Sequence, residues 1–177
     1  MKVLVVNAGS SSCKYQLLEM DSHEVLCSGV AERIGLPMGM LTHKIAPDSD
    51  HAEKIVKEQP FPSHKEAMEL VIQLLTDPEK RVIRDKSEIY AIGHRVLHGG
   101  EAMTEPKLVD DQVKQVIRDC IPLGPLHNPA NLMGIEVCQD LFPGTPNVAV
   151  FDTQFGMSMP PESYMYGLPY EYYEDLH

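Results

Sequence analysis

An unbroken apolar run, Val3 to Val6, leads through Asn7 into a turn of small residues, Gly9 to Ser12, and residues 13–19 then alternate between apolar and polar. A short Val-rich run reads as a buried strand, and residues 13–19 alternate well enough, despite Leu17-Leu18, to read as a second strand. Glu24 to Ala31 reads as a third strand, so the opening is predicted to be a β-meander. Residues 36–62 carry Pro37, Gly39, Pro47, Pro60 and Pro62 and read as irregular and solvent-facing, with a strand over Leu41 to Ile45. The period changes at Ser63. Ser63 and Glu66 form an S-x-x-E capping box, Ala67, Leu70, Val71, Leu74 and Leu75 follow at helical spacing, and Asp77-Pro78 ends the pattern. Ile89 to Val96 is a further strand running into Gly99-Gly100, and Val109 to Ile117 a further helix. Asn128 is expected to cap the next helix, with Pro129 at its first position and Leu132, Ile135 and Cys138/Gln139 continuing it. Asn147 to Phe151 is a last strand, ending at Asp152. This order of elements belongs to the α/β class, and no repeat, low-complexity tract or linker divides it.

Composition adds limits. Apolar residues make up 43% and charged residues 23% of 177 positions, as in an ordinary folded domain able to bury a core. The formal net charge of −11 disfavours nucleic acid and anionic membranes as partners of the whole surface, leaving room for a local basic pocket. Cys13, Cys27, Cys120 and Cys138 are widely spaced, with no C-x-x-C pair, and read as buried thiols in a reducing compartment. No apolar stretch approaches the ~20 residues of a membrane span, and the run after Met1-Lys2 is too short for a signal peptide. The expected location is cytoplasmic.

Four polar clusters fall at strand ends or helix starts, where α/β proteins gather their chemistry. In the first, Asn7 precedes Ser10-Ser11-Ser12 and Lys14. Gly9 permits a sharp turn whose successive amides can face an anion, Ser10 and Ser12 add hydroxyls, and Lys14 lies two residues beyond Ser12 and so on the same strand face. A phosphate suits these donors, although the Walker pattern G-x-x-x-x-G-K-[ST] is absent. Taken alone, a serine-rich turn that solvates itself accounts for the cluster more simply. In "GHRVLHGGE" Arg95 offers a planar fork for a carboxylate or phosphoryl group, or equally an exposed ion pair. His94 and His98 are spaced like helical zinc ligands, but in a strand and glycine turn they read as hydrogen-bonded packing residues. His127 either caps or fills the core ahead of Asn128, and Asp152 either serves a Mg²⁺ water or a nucleophile, or caps the turn that follows.

Five stretches, "VLVVNAGSSSCKY", "GHRVLHGGE", "PLHNPANLMGI", "VAVFDTQF" and "YMYGLPYEYY", resemble the acetate and propionate kinase family, in family order and over Val3 to Tyr173. The resemblance implies an actin-like, sugar-kinase-like (ribonuclease H-like) α/β fold, a mixed sheet with flanking helices. It implies ATP and Mg²⁺ as cofactors and reversible transfer of the γ-phosphoryl of ATP to acetate, with propionate or another short carboxylate as the alternative acceptor. Asn7 would be associated with Mg²⁺, and Lys14 with Ser10 and Ser12 would be cofactor-binding. Arg95 and His127 would bind the carboxylate, and Asp152 with Arg95 would be catalytic. Gln154 and Gly156 depart from the usual family wording, Gly156 standing where the family writes a histidine. Such kinases continue beyond the equivalent of His177 into a second domain that completes the nucleotide site and a homodimer interface. Residues 1–177 are therefore expected to be an N-terminal domain that folds but has negligible turnover alone.

Two rival readings remain. "HGGE" suggests an esterase oxyanion turn, but "GSSSC" lacks the last glycine of a nucleophile elbow. A non-catalytic actin-like binding module is the other.

Overall fold

The computed structural model describes residues 1–80 and 82–176. Among the described residues, eight strands form one sheet: β1 (Lys2–Ala8), β2 (Ser12–Glu19), β3 (Glu24–Glu32), β4 (Gly39–Ile45), β5 (Glu53–Gln59), β6 (Ile89–Val96), β7 (Lys107–Leu108) and β8 (Asn147–Phe151). Their order across the sheet is β5-β4-β3-β2-β1-β6-β8-β7. Strands β1 to β5 form an antiparallel meander, while β1, β6 and β8 run parallel and β7 closes the edge antiparallel. Parallel neighbours need crossovers, and α1 (His64–Leu75) with α3 (Asn128–Leu141) lie within those crossovers. α2 (Asp111–Asp119) packs on α3, and two short helices, α4 (Pro161–Tyr164) and α5 (Tyr170–Leu176), follow β8.

The helices explain one face. Leu4, Val6 and Ala8 of β1, Cys13, Tyr15 and Leu17 of β2, and Ile92, His94 and Val96 of β6 point into the core against α1 and α3. The alternate residues face the other way, and α1 to α3 leave that face uncovered: Val5 is 36% and Val150 44% exposed. Strands that read as almost continuously apolar thus present valines on both sides, the pattern of a sheet made to be buried twice.

The capping box is present as expected, Ser63 Oγ accepting from the Lys65 amide and the Glu66 carboxylate accepting from the Ser63 amide. All four cysteines are buried and free; burial pushes the Cys13 and Cys27 thiols up to about 12. Three expectations need correction. Residues 36–62 hold a regular hairpin of β4 and β5, with the Leu41–Ile45 strand beginning earlier at Gly39. β5 is charged and nearly all exposed, as edge strands tend to be, so no apolar alternation marked it. Helix α2 starts at Asp111, because Asp110 caps it by accepting from the Val113 amide. Asn128 is not a cap: it is the first residue of α3 and completely buried, while His127 occupies the cap position, exposed and without a side-chain cap bond.

α3 lies very close to the end of β1. A Cβ on Gly134 would come within 2.5 Å of the Ala8 Cβ, an atom with no rotamer by which to retreat. Gly134→Ala is therefore expected to cost about 1–3 kcal/mol through overpacking, measured as a shift in the urea midpoint. An unchanged midpoint would show that α3 can move away freely.

Candidate active site

Three parallel strands end side by side, and the candidate residues sit at those ends. Val6 pairs with His94, so Asn7 and Arg95, the next residue on each strand, lie at one level. Asn7 pairs with Lys14 on β2, and Arg95 with Val150 on β8, two residues before Asp152. Because Val6, Cys13, His94 and Ala149 are buried on the helix side, pleating sends Asn7, Lys14 and Arg95 to the open face. Ser12, on the same side as Lys14, and the exposed Ser10 and Ser11 top this row.

The turn between β1 and β2 is tight. The Gly9 amide donates to the Ser12 carbonyl at 2.7 Å, and a Cβ on Gly9 would press on Ser12 Oγ at 3.2 Å. Glycine is therefore the residue that lets the Ser12 hydroxyl keep its place. A shallow groove of about 400 Å³ extends along the open face from this row, lined among others by Asn7, Lys14, Ser28, Thr42 and Lys44. Thr42 and Lys44 belong to β4, within the strand expected over Leu41 to Ile45, although nothing in that stretch marked them as neighbours of Asn7 and Lys14.

Arg95 and Asp152 form a side-on pair. Nε donates to Oδ1 at 3.1 Å and Oδ2 at 3.0 Å, and Nη2 donates to Oδ2. Both side chains are about 40% exposed (41% and 40%), so the pair adds little stability and chiefly fixes direction. Asp152 engages the Nε side of the guanidinium, which leaves the Nη1 donors and the far edge of the fork for a second anion. Asp152 is the first residue of the short 3₁₀ turn Asp152–Gly156, whose cap position is Phe151, and its carboxylate is engaged by Arg95.

The segment after β6 is held from behind. Asn131 Oδ1 accepts from the Leu97 amide at 3.0 Å, and Asn128 Oδ1 accepts from the His98 amide at 3.1 Å while its Nδ2 donates to the His98 and Ile117 carbonyls. The Gly99 amide donates to Thr153 Oγ1 and the Gly100 amide to His98 Nδ1. Both glycine amides are thus engaged within the protein, which removes the oxyanion donors an esterase would need. His94 Nε2 donates to Asn147 Oδ1 at 2.7 Å, and burial lowers its pKa to about 4, so the packing role read for it holds. His127 holds the cap position of α3 without a side-chain cap bond, and it does not fill the core. It stands exposed at the start of α3, one residue before the Asn128 that grips His98.

The Acetokinase family profile matches residues 2–177. The chain belongs to the acetokinase family. It is 72% identical over 176 residues to an acetate kinase of Desulfovibrio desulfuricans, covering 99% of this chain and 44% of that protein. It is 54% identical to an acetate kinase of Finegoldia magna, covering 99% and 43%. Among solved structures it is similar to Porphyromonas gingivalis acetate kinase, with a TM-score of 0.90 at 42% identity over 98% of this chain and 43% of that one. A propionate kinase from Francisella tularensis gives 0.87 at 37% identity, over 98% and 42%. The mixed α/β sheet with flanking helices is thus the fold expected from the actin-like, sugar-kinase-like resemblance. The chain spans less than half the length of these relatives. Among the described residues, no helix is long and apolar enough to cross a membrane.

Proposed function

We propose that residues 1–177 are the N-terminal domain of a two-domain acetate kinase, whose complete form transfers the γ-phosphoryl of ATP reversibly to acetate, giving acetyl phosphate and ADP. The observation that carries this reading is the Arg95 fork, held side-on by Asp152 with one edge open, on the same sheet face and at the same level as Asn7 and Lys14. A carboxylate acceptor is already ionised at neutral pH and needs no general base. What it needs is a cation to offset repulsion as two anions approach, and a partner that keeps this cation aimed. Arg95 supplies the first and Asp152 the second.

The donors at the β1–β2 turn suit a polyphosphate: backbone amides, the Ser10 and Ser12 hydroxyls and the Lys14 ammonium. Asn7 offers one neutral oxygen beside them, which suits a Mg²⁺ that arrives on the nucleotide and keeps most of its waters and phosphate ligands. When bound, that ion would neutralise charge on the phosphates. His127, exposed beside the segment that follows β6, is proposed to contact the carboxylate. Four buried free thiols accord with a cytoplasmic setting. Dimerisation through the remainder of the protein is part of the same proposal. Propionate is the second acceptor to test, on the likeness to the propionate kinase.

The full-length gene product should form acyl phosphate from MgATP and acetate in a coupled assay that releases ADP, with propionate run in parallel. Residues 1–177 alone should show negligible turnover. Near full-length activity from the isolated chain would defeat the two-domain reading, and a full-length product inactive on both acids would defeat the kinase reading. Self-association of the chain without affinity for ATP would favour the binding-module alternative, for which the uncovered sheet face is the motive.

A further inference from the structure

Two consecutive carbonyls at the end of β1 are gripped by buried side chains from two different helices. Asn131 of α3, 3% exposed, donates from Nδ2 to the Ala8 carbonyl at 2.8 Å. His64 of α1, also 3% exposed, lies 2.7 Å through Nε2 from the Gly9 carbonyl. A carbonyl can only accept, so this contact fixes the Nε2–H tautomer of His64. No peptide bond in the described chain is cis. In a trans peptide the C=O and N–H point in opposite directions, so the Ser10 amide, which shares its plane with the Gly9 carbonyl, points away from His64 and out of the core. Ser10 itself is exposed.

Glycine at position 9 creates the need for this grip. With no Cβ, the peptide between Gly9 and Ser10 has an easy alternative orientation in which its carbonyl, not its amide, faces outward. That orientation would present a negative dipole to an incoming anion. We infer that His64, assisted by Asn131, is a positioning residue that locks the Gly9–Ser10 peptide with its amide outward and so keeps the serine turn receptive to phosphate. Asn131 further links this turn to the Arg95 strand, since its Oδ1 accepts from the Leu97 amide two residues beyond Arg95. The inference rests on the reading of the serine turn as the polyphosphate cradle, and neither His64 nor Asn131 touches the reacting groups.

The test compares His64→Met, which fills the space without a donor, with His64→Gln, whose terminal amide can reach the same carbonyl. Both are made in the full-length gene product. Titration calorimetry with MgATP and with tripolyphosphate should show affinity falling about tenfold or more in His64→Met and returning to within about threefold of the original in His64→Gln, as for a lost charge-assisted donor. KM for acetate should stay within about twofold in both, a split that general loosening of the fold would not produce. His64→Leu, a second variant without a donor, should repeat the split and serves if His64→Met does not fold. Unchanged phosphate affinity in a folded donor-less variant would overturn the inference, as would His64→Gln behaving like His64→Met. A wild-type protein that binds neither probe would also overturn it. A wild-type protein that binds both but makes no acyl phosphate would sink only the acetate kinase reading, and the binding comparison would still decide the role of His64.

Discussion

Replacing Arg95 by alanine in the full-length gene product is expected to lower kcat/KM for acetate by on the order of a hundredfold, the usual cost of truncating one partner of a charge-assisted pair in a closed site. The loss should fall on the carboxylate, with KM for MgATP little changed, because Lys14 and the serine turn remain. Arg95→Lys should recover only part of the loss: an ammonium keeps the charge but cannot satisfy Asp152 with one edge and an acceptor with the other. Initial-rate kinetics with acetate and MgATP varied separately provide the check. Unchanged acetate kinetics in Arg95→Ala would remove this residue from the site and leave its pairing with Asp152 a surface feature.

The second large effect concerns acid. His43 is fully buried, its Nδ1 lies 2.7 Å from the Tyr15 hydroxyl, and its Nε2 has no partner among the described residues. Burial lowers its pKa to about 4, against a smaller opposing influence from Glu53, and burial does the same for His94. In the unfolded chain both imidazoles return to about 6.5. Between these values the unfolded state binds protons that the folded state refuses. Stability is therefore fullest above about pH 6.5 and declines as pH falls towards about 4, by on the order of 3 kcal/mol for each histidine over the whole interval. That is a large share of the total for a domain of this size. Urea unfolding of the chain at pH 7 and pH 5 should show the decline before carboxylates begin to protonate. The double variant His43→Gln/His94→Gln should flatten it, and an equally steep slope in that variant would assign the acid sensitivity elsewhere.

Local rules made much of the molecule legible, and the failures share a cause. The capping box of α1 could be read because both partners lie within one turn of each other. The strands β1, β6 and β8 could be read because an apolar run needs no knowledge of its neighbours. Strand β5 could not, since Glu53 to Gln59 is almost wholly exposed and is a strand only by pairing with β4. Asn128 followed by proline carries the local signature of a cap, yet tertiary packing gives its amide three backbone partners, one set 30 residues away at His98 and another at Ile117. The site divided in the same way. Asn7, Lys14, Arg95 and Asp152 were marked by sitting at strand ends, whereas nothing near His64 in sequence announces that it reaches Gly9, 55 residues earlier.

The uncovered side of the sheet also constrains anyone who wishes to make this chain better behaved. Val5 stands two positions before Asn7, and Val150 lies opposite Arg95. Exchanging these valines for charged residues would raise solubility and, by the same stroke, rebuild the floor beneath Asn7 and Arg95, on which the proposed phosphate and carboxylate contacts rest. Surface engineering is better directed to the distant β5 margin, where the strand is already polar and no candidate side chain depends on it.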